Sequence, residues 1–250
     1  AVLEGNEILA NGSFTYDDGR SGQISAIDFT VNPIGYEWDI EGLTSLMTTQ
    51  SGENSLYLYN PRGEAVDLNQ STLTTLEEDV SLDGVTSVYG NVGDDELIGD
   101  EGNNWLSGGG GSDTISGGAG DDYLFIDGDD LAENIDGGSG FDIVQVMGDK
   151  GVNINLSAQN IEVAICGRGQ DVIIGGGLDN AFIRGGDNDD ILIGGGATDA
   201  IAGEDGEDFI DGRAGNDILR GHKDTDVIYG GLGNDYLDGG QGIDNLYGGE

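Results

Sequence analysis

Only 8 of the 250 residues are Lys or Arg, against 49 Asp or Glu, for a formal net charge of −41. So few cations cannot neutralise a run of phosphates or grip an anionic bilayer. Nucleic acid and membrane insertion are therefore excluded as roles, and cations are favoured as partners. A single cysteine, Cys166, excludes an internal disulfide framework, so stability has to come from elsewhere. A single histidine, His222, excludes an HExxH zinc site and a histidine-based triad within the chain, and is expected to face solvent. No apolar run approaches the ~18 residues of a membrane-spanning helix. The start lacks the basic and apolar segments of a signal peptide. Aromatics make up 7% of residues and are expected to form no stacking platform. The chain begins without Met and stops just after a Gly-Gly pair, and so reads as part of a longer protein.

What is abundant is glycine, 49 residues. Such glycine and acid content alone would suggest disorder. In the second half, however, aliphatic residues recur every nine positions. Units start at Gly90, Gly99, Gly108, Gly117 and Gly137, then, after a degenerate unit at Cys166, at Gly176, Gly185, Gly194, Gly203, Gly212, Gly221, Gly230 and Gly239. The eighth position of the longest array is Ile or Leu without exception, from Ile183 to Leu246. The sixth is Asp throughout that array, apart from Ala181.

A unit of six turn residues and three strand residues cannot close a core by itself. Two units, eighteen residues, make one flattened coil. Stacked coils make an all-β, two-sheet parallel β-roll with the eighth-position side chains inside. Turns on the same edge then stack about 4.8 Å apart. The sixth-position residues Asp95, Asn104, Asp113, Asp122, Asp142, Asp171, Asp190, Asp199, Asp208, Asp217, Asp226, Asp235 and Asp244 line the two edges. One edge carries Asp199, Asp217 and Asp235; the other carries Asp190, Asp208, Asp226 and Asp244. Asp95 pairs with Asp113, and Asn104 with Asp122. Calcium–oxygen bonds of about 2.3–2.6 Å let one ion reach two such carboxylates, with turn carbonyls such as those of Gly93, Gly111, Gly120, Gly215, Gly233 and Gly242 completing an oxygen shell. Without metal, two carboxylates about 5 Å apart repel by roughly 1 kcal/mol in water and about 3 at an effective dielectric of 20. Metal binding and folding are then expected to be one process.

The pattern GGxGxDxUx, seen in full in GGLGNDYLD (Gly230–Asp238) and GGAGDDYLF (Gly117–Phe125), resembles the RTX, or haemolysin-type calcium-binding, nonapeptide repeat. The resemblance spans Gly90 to Glu250. It implies several calcium ions as cofactor and a secreted or cell-surface protein of a Gram-negative bacterium. The resemblance further implies export by a type I system, with folding in external calcium. The implied role is structural and non-enzymatic: support for neighbouring domains of an adhesin or toxin. One alternative is an accessory region of a secreted protease, lipase or epimerase. Another is a calcium-dependent module in which residues 1–89 recognise a cell-surface or glycan ligand. Three departures, Ala181 with Asp179, the turn at Cys166, and GHKDTD (Gly221–Asp226), are expected to weaken or remove sites.

The expected organisation is a β-rich segment or cap at 1–89, a first repeat block at 90–145, a non-repeat β connection at 146–165 and a second block at 166–250. The first block carries an acidic insertion at 126–136, read as a surface excursion. In the first segment, Ile8–Gly19 with its Asn-Gly pair suggests a hairpin and Leu43–Thr49 a short helix. Ser55–Asn60 and Ala65–Leu68 read as strands. Neighbouring motifs carry less. GGGGSD (Gly108–Asp113) lacks the strand–helix setting of a nucleotide loop. Asp127–Gly138 lacks the glycine and final Glu of an EF-hand. The repeat already accounts for one member of the acid pair Asp121–Asp122, so a glycosidase pair is not needed.

Overall fold

A three-residue strand between glycine turns buries its apolar side chain only if another strand closes over it. The computed structural model shows how this chain does so. It describes residues 86–90, 92–177 and 180–250 in full, and before them the backbone of the strands alone. The chain winds as an all-β parallel solenoid of nine coils. Nine strands of one sheet run from Val85–Tyr89 through Trp105–Ser107, Tyr123–Asp127, Ile143–Met147, Val163–Ile165, Phe182–Asp187, Ala200–Asp205 and Ile218–Lys223 to Tyr236–Gln241. The facing strands form two sheets. One contains Glu96–Ile98, Thr114–Ala119 and Ile135–Ser139; the other runs from Asn153–Asn155 to Asn245–Gly249. Every neighbouring pair among these strands is parallel and in register.

Register sets the core. Val88, Leu106, Leu124, Val144, Ala164, Ile183, Ile201 and Leu219 stack down one side; Leu97, Ile115, Ile135, Ile154, Ile173, Leu192, Ile210 and Ile228 stack down the other. All are at most 2% exposed. Burying each Leu or Ile contributes about 1.5–3 kcal/mol, which no single unit could collect alone.

The coil is not uniform. The step is 18 residues from Leu106 to Leu124 and from Ile183 to Ile201, but 20 from Leu124 to Val144 and from Val144 to Ala164. The extra residues are used inside: Ile126, Val146, Val152, Leu156 and Ile161 join the core. Asn153–Asn155 and Val163–Ile165 give the stretch 146–165 a strand on each face of the solenoid. In place of a glycine turn between them stands a 3-10 turn, Leu156–Ala158, in which Ala158 N–H donates to the Asn155 side chain.

Two expectations are corrected. Thr44–Thr48 is a strand, paired antiparallel with Ser21–Ile24 and Asn54–Leu58, and not a helix; β-branched Thr at both ends favours the extended form. The strands on either side of Asn11 pair elsewhere, not with each other: Glu7–Leu9 with Val2–Glu4, and Gly12–Thr15 with Ser21–Ile24. Asn54–Leu58 and Ala65–Asp67 are strands that pair in parallel with the first solenoid strands of their faces.

Candidate metal centre

Each six-residue turn ends in an aspartate two positions before its inward Leu or Ile. This places the carboxylate at the edge of the solenoid, under the next coil. There it takes part in a ladder. Asp190 N–H donates to Asp208 Oδ1, Asp208 N–H to Asp226 Oδ1, and Asp226 N–H to Asp244 Oδ1, at 2.9, 2.9 and 3.1 Å. On the opposite edge Ala181, Asp199 and Asp217 donate likewise to Asp199, Asp217 and Asp235, at 2.7, 2.8 and 3.0 Å. In the first block Asp95 donates to Asp113 Oδ1 and Asn104 to Asp122 Oδ1, both at 2.7 Å. Stacked carboxylates therefore do not share an ion through all their oxygens. One oxygen of each is committed to the backbone of the preceding coil.

The other oxygen is left over. Oδ2 of Asp113, Asp122, Asp142, Asp171, Asp190, Asp208, Asp217, Asp226 and Asp235 is buried with no hydrogen-bond partner. A buried charged oxygen without a partner costs several kcal/mol unless a proton or a cation meets it. Burial duly raises these carboxyl groups from 3.8: Asp190 to about 8, Asp113 and Asp208 to about 7, and Asp122, Asp142, Asp217 and Asp226 to about 6. The ladder hydrogen bonds offset part of this rise, and neighbouring carboxylates add to it.

The turn glycines keep space open around the same oxygens. A Cβ at Gly212 would stand 2.5 Å from Asp217 Oδ2 and 2.8 Å from the Gly230 carbonyl oxygen, so both oxygens border a space that a side chain would fill. Fourth-position glycines stack on one another: a Cβ at Gly120 (φ +106°) would meet the Gly102 carbonyl, and one at Gly215 (φ +149°) would lie 2.5 Å from Asp217 Oδ1. The carbonyls of Gly93, Gly215 and Asp224 likewise face Gly111, Gly233 and Gly242 on the following coils. An unpartnered carboxylate oxygen beside backbone carbonyls is the hard, all-oxygen donor set that suits calcium. The residues present fit that ion. Bound there, calcium supplies the positive charge the edges lack. Among the described residues no three His, Cys, Asp or Glu side chains converge, so each turn would combine one or two carboxylates with carbonyls.

Not every sixth-position residue is alike. Asn104 turns back on its own loop, accepting from Asp100 N–H and donating to Asp100 Oδ1. Asp199 Oδ2 accepts from Gly195 N–H at 2.6 Å, so its carboxylate is satisfied within its own turn. In GHKDTD, where a weakened site is expected, Asp226 nevertheless keeps an unpartnered Oδ2, because His222 and Asp224 adopt the left-handed conformations (φ +82° and +70°) that glycine takes elsewhere. His222 is exposed. Ala181 leaves the ladder without a carboxylate at its position, and Asp179 lies outside the described residues.

Two ladder members have no place in the nonapeptide pattern. Asp113 N–H donates to Asp130 Oδ1 and Asp127 N–H to Asp130 Oδ2, at 2.7 and 2.8 Å, so Asp130 is buried with both oxygens used. The acidic insertion is thus no mere surface excursion; it turns one carboxylate inward to close a ladder. Asp142 N–H donates to Glu162 Oε2 at 2.7 Å, and Glu162 ends the other ladder of the first block. Spacings of 17 and 20 residues hid both from the nine-residue frame. Sparse as they are, several aromatic rings pack on one another. Trp105 stacks on Tyr123 and Tyr123 on Phe125, at 5.0 and 4.7 Å between ring centroids, and Tyr229 stacks on Tyr247 at 4.6 Å. Parallel strands align Trp105 with Tyr123 and Tyr229 with Tyr247, 18 residues apart in each case, while Tyr123 and Phe125 are two residues apart on one strand.

No curated protein matches the chain. The family model of the RTX calcium-binding nonapeptide repeat (4 copies) matches residues 89–124, 175–210, 184–219, 202–237 and 211–246. These segments coincide with the regular 18-residue coils and leave out the expanded ones. With ladders, glycine-lined turns and matched segments agreeing, this chain is a bearer of RTX calcium-binding repeats, and its solenoid is a calcium-binding structural module of that family.

Proposed function

We propose that this chain is a calcium-triggered folding module of a larger secreted or cell-surface bacterial protein, an adhesin or a toxin, in which it spaces and supports neighbouring domains. One observation carries the proposal: among the described residues, nine aspartate oxygens are buried without partners in the wound state. A fold that needs that many counter-charges is held by the cation concentration around it. In low calcium the edges repel and glycine-rich turns favour the disordered chain, a state suited to export; in millimolar calcium the edges are neutralised and the coils close. The role is structural, since the groups along the edges are spent on holding coils together. Small-angle scattering tests this. An unfolded 250-residue chain has a radius of gyration of roughly 55 Å and a compact one about 18 Å. Calcium should bring the full chain from near the first value to within about 10 Å of the second. Equal radii in calcium and in chelator would refute the triggering.

A further inference from the structure

The expanded coils between the two repeat blocks interrupt one face of the solenoid. Ile135–Ser139 ends one of the facing sheets and Asn153–Asn155 begins the next, with no ladder between them. The 3-10 turn Ala132–Asn134, from the acidic insertion, lies across the break, next to Asn153–Asn155. Beside it opens a cleft of about 490 Å³. Buried Ile126, Val152 and Ile154 give it an apolar floor, and Leu131, 52% exposed, adds an apolar wall. Two oxygen acceptors line the same cleft. Gln159 Oε1 is buried without a hydrogen-bond partner, and Glu133 has no cationic partner among the described residues. Lys150, next to the lining Gly151, is spent elsewhere: its Nζ pairs with Asp129 at 2.5 Å and its side chain is 66% exposed.

We propose that this cleft binds a small organic ammonium ion, with its aromatic or alkyl body on the Ile126, Val152 and Ile154 floor and its ammonium at Gln159 and Glu133. Sites for small molecules span roughly 300–1,000 Å³ and join an apolar lining to a few placed polar groups, as this one does. Charge selects the cation. A chain of net charge −41 concentrates cations and repels anions, and Glu133 at the cleft turns away a carboxylate in particular. An ammonium also supplies the donor that Gln159 Oε1 lacks, and so recovers a hydrogen bond otherwise left unmade. A bare metal ion gains nothing from the apolar floor. Nor does Asp130, which also lines the cleft, offer it a ligand, since both its oxygens accept backbone amides. The cleft lies between the segments 89–124 and 175–210 that match the repeat, so it belongs to the irregular coils and stands apart from the calcium-binding turns.

The probe is 2-phenylethylammonium chloride, titrated calorimetrically into the full chain already saturated with calcium, at about 0.15 M salt so that diffuse attraction to the acidic surface is screened. Binding should fit a single site and be unaffected by further calcium. Phenylacetate, close in shape but of opposite charge, should bind about tenfold more weakly or not at all. Glu133→Gln, at an exposed residue, should weaken the ammonium about threefold to fivefold while calcium-dependent folding is kept. Gln159→Leu, which removes the buried acceptor, should weaken it about fivefold. If Gln159→Leu does not wind, Glu133→Gln decides alone. Absence of binding to the folded chain would overturn the proposal. So would phenylacetate binding as tightly as the ammonium, or uptake at many weak sites that Glu133→Gln leaves unchanged.

Discussion

At the scale of the residue, the turns are decided by which backbone can go left-handed and which oxygen is left over. Gly120 has φ +106°, and a Cβ there would lie 2.7 Å from the Gly102 carbonyl carbon. Gly120→Ala is therefore expected to destabilise the calcium-loaded chain by about 2–4 kcal/mol, since left-handed strain and a backbone clash add. Arg213 shows the converse. It sits at φ +68° in a place where other turns carry glycine. Arg213→Gly should stabilise by roughly 0.5–1 kcal/mol, the relief of strain exceeding the entropy lost with glycine. Thermal or denaturant unfolding in calcium measures both. Asp208 separates its two roles. Asn can still accept the ladder hydrogen bond from Asp190 but carries no charge. Asp208→Asn should raise stability in chelator by about 1 kcal/mol and lower the additional stability that calcium confers. A loss in both conditions would mean that the carboxylate is structural only.

At the scale of the element, strands are short and the stack is what holds them. Leu219 is fully buried, whereas Leu246 at the open end of the solenoid is 45% exposed. Leu219→Ala should cost about 2–5 kcal/mol and Leu246→Ala under about 1, read from unfolding midpoints in calcium. The inward rows from Leu97 to Leu124 and from Ile183 to Leu219, and the pairing of Asp217 with Asp235 and Asp226 with Asp244, were legible in the sequence, because period nine folded into coils of eighteen has one solution. The middle was not. Between Leu124 and Ile183 the coils take 19 or 20 residues, Val144 and Ala164 stand in for Ile or Leu, and a 3-10 turn at Leu156–Ala158 replaces a glycine turn. A fixed period cannot see an inserted residue that is absorbed inside. For the same reason Asp130 and Glu162 were missed as ladder members, although each accepts a backbone amide as the repeat aspartates do. Nor does the pattern show that one oxygen of each aspartate goes to an amide; that follows only from stacking.

At the scale of the whole molecule, the buried carboxyl groups make protons and calcium alternatives. Burial lifts Asp190 to about 8, Asp113 and Asp208 to about 7, and Asp122, Asp142, Asp217 and Asp226 to about 6, against 3.8 when exposed. A raised folded-state value means the metal-free fold holds protons that the unfolded chain releases. The stability these groups allow is fully present below about pH 4 and is lost as pH rises through the window from about 6 to 8. In chelator the solenoid should be most folded in acid and least folded above neutrality; a chelated chain that grows more stable from pH 5 to pH 8 would contradict this. Calcium has to displace the same protons, so its affinity should rise across that window. The most direct measurement is far-ultraviolet circular dichroism of the full chain at pH 8, first in chelator and then through a calcium titration. Calcium-coupled folding predicts a disordered spectrum over the repeats in chelator and a cooperative gain of strand signal as calcium is added. A full strand signal already present in chelator, unchanged by calcium, would contradict it.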